Sequence, residues 1–419
     1  MSIIEESAEA VAPKKPVPLG RNRDFMLLWT GAGVSHFGSR MSAIAYTLVV
    51  YWSTGSKTLT GLVTFAALLP YLVTQLPAGA FVDRWDRRKV MIFCDLGRIA
   101  AIGVAAVTVF LGHVWVPLLM VVAFLEASMT VFYMLAERAA VFTVVDGSQI
   151  GGAMARNEAR GQAAGLLGQP AGTLLYSVTK WLPFGTTAIA HLISLVTLLF
   201  VRADLKVQRR NVKPDIVGEV RDGFKFVWSK LYLRRALLLI SLSNILFQVL
   251  SLGLIVIVKD NGGSPSTIGF ILIINGLGGM VGALTSNFFM SRFSIRYIFI
   301  GVNILWAVLM PAIAFATHPI ALAAIYSVII YGAGVSNVAG IVYTMKITPG
   351  EMQGRVGSIA TLLASGANSL GALAAGLILA AFVTKTAILL VGAAMTCIAI
   401  LAILGFSGKK AKEADIPLT

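Results

Sequence analysis

Gly79-Ala80-Phe81-Val82-Asp83-Arg84-Trp85-Asp86-Arg87-Arg88-Lys89 is a charged, mainly basic knot wedged between two long apolar runs. Ionised side chains enter hydrocarbon only at high cost, so the knot reads as a short hairpin at a membrane surface. Its excess of Lys and Arg assigns that surface to the cytoplasmic side. The composition around it agrees. Of 419 residues, 57% are hydrophobic and 13% charged, with mean hydropathy +0.83. A soluble domain carries about 25% charged residues, so composition alone indicates a membrane protein. The net charge of +15 comes from basic residues gathered at loop ends rather than on a folded polar face, which argues against a nucleic-acid partner. Cys94 and Cys397 sit in separate apolar runs and support neither a disulfide framework nor a metal site. The first twenty residues have no apolar h-region, so no cleavable signal peptide is expected.

A helix needs about 20 apolar residues to cross the hydrocarbon core. That ruler predicts twelve spans, near 24–52, 58–82, 89–111, 115–137, 156–178, 183–201, 236–258, 266–290, 297–317, 319–345, 355–383 and 386–406. Of 34 Lys and Arg, only Lys57, Lys180, Lys259 and Lys385 fall in loops on one side, and Arg40 and Arg98 lie within spans. The other 28 lie on the opposite side, which places both termini in the cytoplasm.

The longest hydrophilic stretch, 202–235, divides the spans six and six. The expected organisation is a tail (1–23), a six-helix bundle (24–201), a linker (202–235), a second bundle (236–406) and a tail (407–419). Residues 216–228 space their apolar side chains helically, as a short helix on the cytoplasmic membrane face would. Shifting the chain by 208 positions lands Gly61 on Gly269, Arg84 on Arg292 and Arg88 on Arg296. Two halves carrying degenerate copies of one loop fit the parallel repeats of transporters, with a site between them near the midplane.

The loop 83–89, in this position, resembles the signature loop between helices 2 and 3 of major facilitator superfamily transporters. From Asn22 to about Phe406 the chain is similar to that superfamily, and more narrowly to the bacterial exporters that include macrolide-efflux proteins and the enterobactin exporter. The similarity is carried by Asn22-Arg23-Asp24-Phe25 with Leu28-Trp29, by Gly38-Ser39-Arg40-Met41, and by Asp95-Leu96-Gly97-Arg98. Residues 219–226 and Pro349-Gly350-Glu351-Met352-Gln353-Gly354-Arg355-Val356 complete it. The resemblance implies an all-α membrane protein of twelve transmembrane helices in two pseudo-symmetric bundles. There are departures. Ser39 stands where the group often has an acid, Gln169 interrupts the usual Gly-Pro pair of helix 5, and helix 4 lacks the intramembrane arginine of many drug:proton antiporters.

Glu126 lies about eleven residues from the outer end of its span, near the bilayer centre, where a protonated acid is cheaper than a carboxylate. It is a proton-coupling and substrate-contact candidate, with a buried, hydrogen-bonded acid as the bland alternative. Arg40 lies inside helix 1, and the family's arrangement suggests an Arg40–Glu126 pair. His191 is a second proton-coupling candidate, set against a plain buried histidine. Tyr46, Asn244, Gln248 and Asn275 are further cavity candidates, set against simple interhelical hydrogen bonding.

The resemblance implies a conformational latch around Gly79, Asp83, Arg84, Arg87, Arg88, Asp95, Arg98, Glu137 and Arg355. In it Asp83 faces the helix starting near Arg355, and Arg84 or Arg88 pairs with Glu137. Gly161, Gly165, Gly168 and Gly172 with Pro170 form a small-residue stripe suited to close helix packing. No nucleotide loop, metal cluster or nucleophile–base set suggests an enzyme. The expectation is a proton-coupled exporter of amphipathic small molecules, with a lipid or lysolipid transporter as alternative. It would work by alternating access without cofactor, as a monomer in the lipid bilayer of a bacterial cytoplasmic membrane.

Overall fold

The computed structural model describes residues 17–206 and 216–406. The expected tails over 1–16 and 407–419, and the linker stretch 207–215, lie outside the described residues. The helices are α1 (Arg23–Thr54), α2 (Lys57–Val73), α3 (Gln75–Val82), α4 (Arg87–Phe110), α5 (Val116–Val144), α6 (Ile150–Val178) and α7 (Leu182–Leu199). After the linker come α8 (Ile216–Ser229), α9 (Leu231–Asp260), α10 (Pro265–Met290), α11 (Ile295–Ala312), α12 (Pro319–Ile347), α13 (Gly350–Ala381) and α14 (Thr384–Phe406). Among the described residues, nine helices are long and apolar enough to cross a membrane: α4, α5, α7 and α9 through α14. The other three expected spans are α1 and α6, which are long but more polar, and the α2–α3 pair.

Local chemistry sets these boundaries. Asn22 caps α1 by accepting from Phe25 N, and its amide donates to Val144 O at the end of α5. Ser56 caps α2 through Leu59 N. In the basic hairpin, Asp86 accepts from Arg88 N and Lys89 N and so starts α4. The expected single span 58–82 is two helices. Thr74 N and Thr74 Oγ1 both donate to Pro70 O, at 2.8 and 2.6 Å, but Pro77 has no amide hydrogen to give to Val73 O, and the helix is interrupted at Thr74.

Helices α1 to α7 pack among themselves, as do α8 to α14, and two extensive helix pairings join the sets: α2 with α13 and α6 with α10. These are repeat-related pairs, and the shared glycines sit in them. A Cβ on Gly61 would lie 2.5 Å from Gly376 Cα, and one on Gly269 would meet Pro170 O and Thr173 at about 3.5 Å. The α2–α13 crossing is therefore backbone on backbone. At this end Lys57 Nζ donates to Thr384 Oγ1 (3.1 Å) and Lys259 Nζ to Tyr51 O (2.8 Å). At the opposite end Asp83 and Arg84 are exposed. The two sets are thus pinned together at the Lys57 end.

The glycine stripe of α6 divides in two. A Cβ on Gly168 would come within 2.5 Å of Arg40 Cβ, and one on Gly172 within 2.7 Å of Met41 O, so both seat α6 against α1. Gly161 and Gly165 have nothing within 4 Å, which corrects their expected packing role. Toward that end α6 meets α1 through side chains instead: Arg160 lies beside Gly33 and donates to Trp29 O. Alanine at 161 or 165 should leave thermal stability unchanged or raise it by up to about 1 kcal/mol through helix propensity. Alanine at 168 or 172 should lower it by about 1–3 kcal/mol through overpacking. Melting curves of the four purified variants in one detergent check the contrast.

Candidate functional site

Glu126 lies midway along α5 and is 4% exposed. Ser42 Oγ donates to its Oε1 at 2.7 Å and Tyr46 OH to its Oε2 at 2.9 Å. Ser42 and Tyr46 are one turn apart on α1, so a single helix face presents both donors. His191 of α7, fully buried, places Nε2 3.8 Å from Glu126 Oε1 and bonds Ser35 Oγ through Nδ1 at 3.0 Å. Three helices thus close a polar knot around one carboxyl group inside the first set.

Arg40 is absent from that knot, which corrects the expected Arg40–Glu126 pair. At 100° per residue Arg40 stands about 200° around α1 from Ser42, so it faces away. It lies against Gly168 of α6, is exposed, and sits within electrostatic reach of His36 and Tyr71. The cavity candidates are likewise redistributed. Tyr46 is buried against Phe184 with its hydroxyl committed to Glu126. Asn275 is buried, with no hydrogen bond to its amide among the described residues. Gln248 and Asn244 are partly buried on α9, and Gln248 Nε2 donates to Asn368 Oδ1 of α13.

The latch residues have other partners. Arg88 donates to Leu199 O, the last carbonyl of α7, and Arg87 to Ala139 O and Thr143 Oγ1 of α5. Both arginines stand in the first turn of α4, and Leu199 O, at the end of α7, is a terminal carbonyl that needs a donor. Glu137 takes Arg160 in two bonds, at 3.2 and 3.3 Å, and Asn157 at 3.2 Å, all from neighbouring α6. Arg355 pairs with Asp222 of α8 at 3.6 Å, within its own set. Gly79 has open space around it.

Asp95 and Arg98, expected in the latch, form an ion pair that is 0% and 1% exposed. Ser194 Oγ donates to Asp95 Oδ2 at 2.9 Å, and Tyr133 OH lies 2.9 Å from Ser194 Oγ. The Arg98 guanidinium stacks over the Tyr133 ring at 4.4 Å. Their i, i+3 spacing was legible. Their burial and partners were not, because α5 and α7 create them. Ser35 and Ser42 were missed, although Ser42 and Tyr46 on one face was a readable signal.

The arrangement defines a helical membrane transporter of the major facilitator fold. It superposes on a bacterial homologue of the human lysosomal transporter Spinster, in an inward-facing and occupied conformation, with TM-score 0.75, covering 96% of this chain and 100% of that one at 12% identity. The nucleoside transporter NupG gives TM-score 0.72, covering 92% and 100% at 13% identity. Residues 16–418 match the transmembrane secretion effector family, and the chain belongs to it. Among relatives, the multidrug efflux pump Tap of Mycolicibacterium fortuitum is 27% identical over 365 residues, 84% of this chain and 88% of Tap. Macrolide efflux protein A of Streptococcus pyogenes is 26% identical over 201 residues, 48% of this chain. That match spans about half the length of macrolide efflux protein A.

Proposed function

We propose that this transporter is a proton-coupled exporter (an antiporter) of amphipathic small molecules of the macrolide and multidrug kind. The observation that carries this reading is Glu126: a carboxyl group sealed from solvent, held by two hydroxyls and faced by an imidazole. A buried ionisable group without a fixed cationic partner is costly as structure alone, and suits a group that changes protonation as access alternates. The efflux pumps among its relatives support the cargo class.

In this reading the twelve expected spans cross a bacterial cytoplasmic membrane with both termini inside. The Lys57 end then faces outward. The contacts at Gly61–Gly376, Lys57–Thr384 and Lys259–Tyr51 belong to a state closed to the outside, and Asp83 engages α13 only in the opposite state. Protons entering from outside reach Glu126 when that end opens, and substrate leaves in exchange. Arg40, Gln248, Asn244 and Asn275 stand in the two sets that would move about the cargo. Purified full-length protein in liposomes, acid inside and loaded externally with erythromycin or ethidium, should accumulate the probe and release internal protons. No gradient-dependent movement of either probe would remove the antiporter reading, and proton-independent movement of labelled lysolipid would replace it with lipid transport.

A further inference from the structure

The internal repeat supplies a control for the Asp95–Arg98 pair. Shifted by 208 positions, Asp95 becomes Asn303, Arg98 becomes Trp306 and Ser35 becomes Ser243. Starting α5 and α12 together, by contrast, aligns Tyr133 with Ser336. The equivalence is spatial as well. One small cavity in the first set is lined by Ser35, His36, Arg98, Tyr133, Glu137 and Arg160, among others. Another, in the second set, is lined by Ser243, Phe299, Asn303, Trp306 and Ser336, among others. In the second set Trp306 Nε1 donates to Ile329 O and Asn303 Nδ2 to Phe299 O, with no charge at all in these two side chains. The fold therefore packs this position with neutral residues. A buried ion pair there is not a requirement of the architecture, and such pairs seldom repay their desolvation.

We propose that Asp95 and Arg98 are positioning residues that set how readily Glu126 exchanges its proton, linked to it across α7. Ser194, which binds Asp95, and His191, which faces Glu126, are three residues apart on one face of that helix. Arg98 lies within electrostatic reach of both Glu126 and His191. The charged and titratable groups around the pair and Glu126 are Glu126, Tyr133 and Glu137 from α5, His191 from α7, His36 and Tyr46 from α1, Tyr71 from α2 and Arg160 from α6, with Cys94 on α4 itself. While Asp95 neutralises Arg98, the field at Glu126 is small. When Arg98 leans from Asp95 toward an ionised Glu126, one guanidinium serves two carboxylates in turn. This rests on the reading of Glu126 as the proton-binding group.

Infrared difference spectra of the purified full-length chain in lipid, recorded against pH, test this without a transport substrate. The wild type should show a protonated-carboxyl band that Glu126→Gln removes. Asp95→Asn leaves Arg98 without its counter-charge, so the midpoint of that band should move by about one pH unit, tenfold in proton affinity, with Glu126 releasing its proton more readily. Arg98→Gln should move it the other way. The double variant Asp95→Asn, Arg98→Trp copies the second set, should elute as a folded monodisperse species, and should return the midpoint to within a few tenths of wild type. Unmoved midpoints in both single variants would overturn the relay while leaving Glu126 in place. A missing Glu126→Gln-sensitive band would remove the proton site and the relay together.

Discussion

Glu126→Gln is expected to reduce export driven by a pH gradient to the level of protein-free liposomes while the protein still folds. Glutamine has the shape of the protonated acid. Its carbonyl oxygen accepts from one of the hydroxyls of Ser42 and Tyr46, and the other hydroxyl rotates to accept from the amide. The folding cost is therefore small, about 1 kcal/mol. What disappears is ionisation. If the protonation of Glu126 is the step that ties proton entry to substrate exit, the variant still binds cargo and still exchanges it across the membrane with no gradient applied. It cannot be driven uphill. Paired measurements of gradient-driven uptake and of probe counterflow separate the two. Undiminished driven transport in a folded Glu126→Gln protein would clear this residue of the coupling role.

Gly61→Val should open the end at which the two sets are pinned. Its Cβ would fall 2.5 Å from Gly376 Cα and 2.8 Å from Gly376 N, both backbone atoms that cannot swing aside. Relief requires α2 and α13 to part, and with them Lys57–Thr384 and Lys259–Tyr51. Overpacking of this kind costs about 1–3 kcal/mol, and each 1.4 kcal/mol shifts a two-state population about tenfold. Spin labels at exposed Thr54 and Val383 should report a longer distance in the variant. Gly269→Val, where the neighbours stand at about 3.5 Å, should shift it far less. Equal distance distributions for Gly61→Val and wild type would show that this crossing does not decide the closed end.

The helices were legible because hydrocarbon demands internally bonded backbone, and runs of apolar residues announce it. The basic hairpin at 83–89, the divide at 202–235 and the recurrence of Gly61 at Gly269 were readable for the same reason. The break at Thr74 had its signal in Pro77, although a hydropathy ruler averages over it. Residue types at the site were legible as well: Glu126 and His191 stood out as polar groups in apolar spans.

Partners were another matter. A sequence places Arg40 and Glu126 at similar depth, but only the rotation of α1 against α5 decides that Ser42 and Tyr46, and not Arg40, meet the carboxyl group. That Asp95 is buried with Ser194 and Tyr133 is decided by the packing of α5 and α7 on α4. Glu137 had several arginines within loop distance, and the adjacency of α6 selected Arg160. Composition and periodicity, then, determined that this chain is a bundle of membrane helices in two related sets, because burial of backbone in hydrocarbon is a local requirement. Which charged groups meet was decided by tertiary structure alone, because helix rotation and packing, to which hydropathy is blind, determine which side chains share an interior.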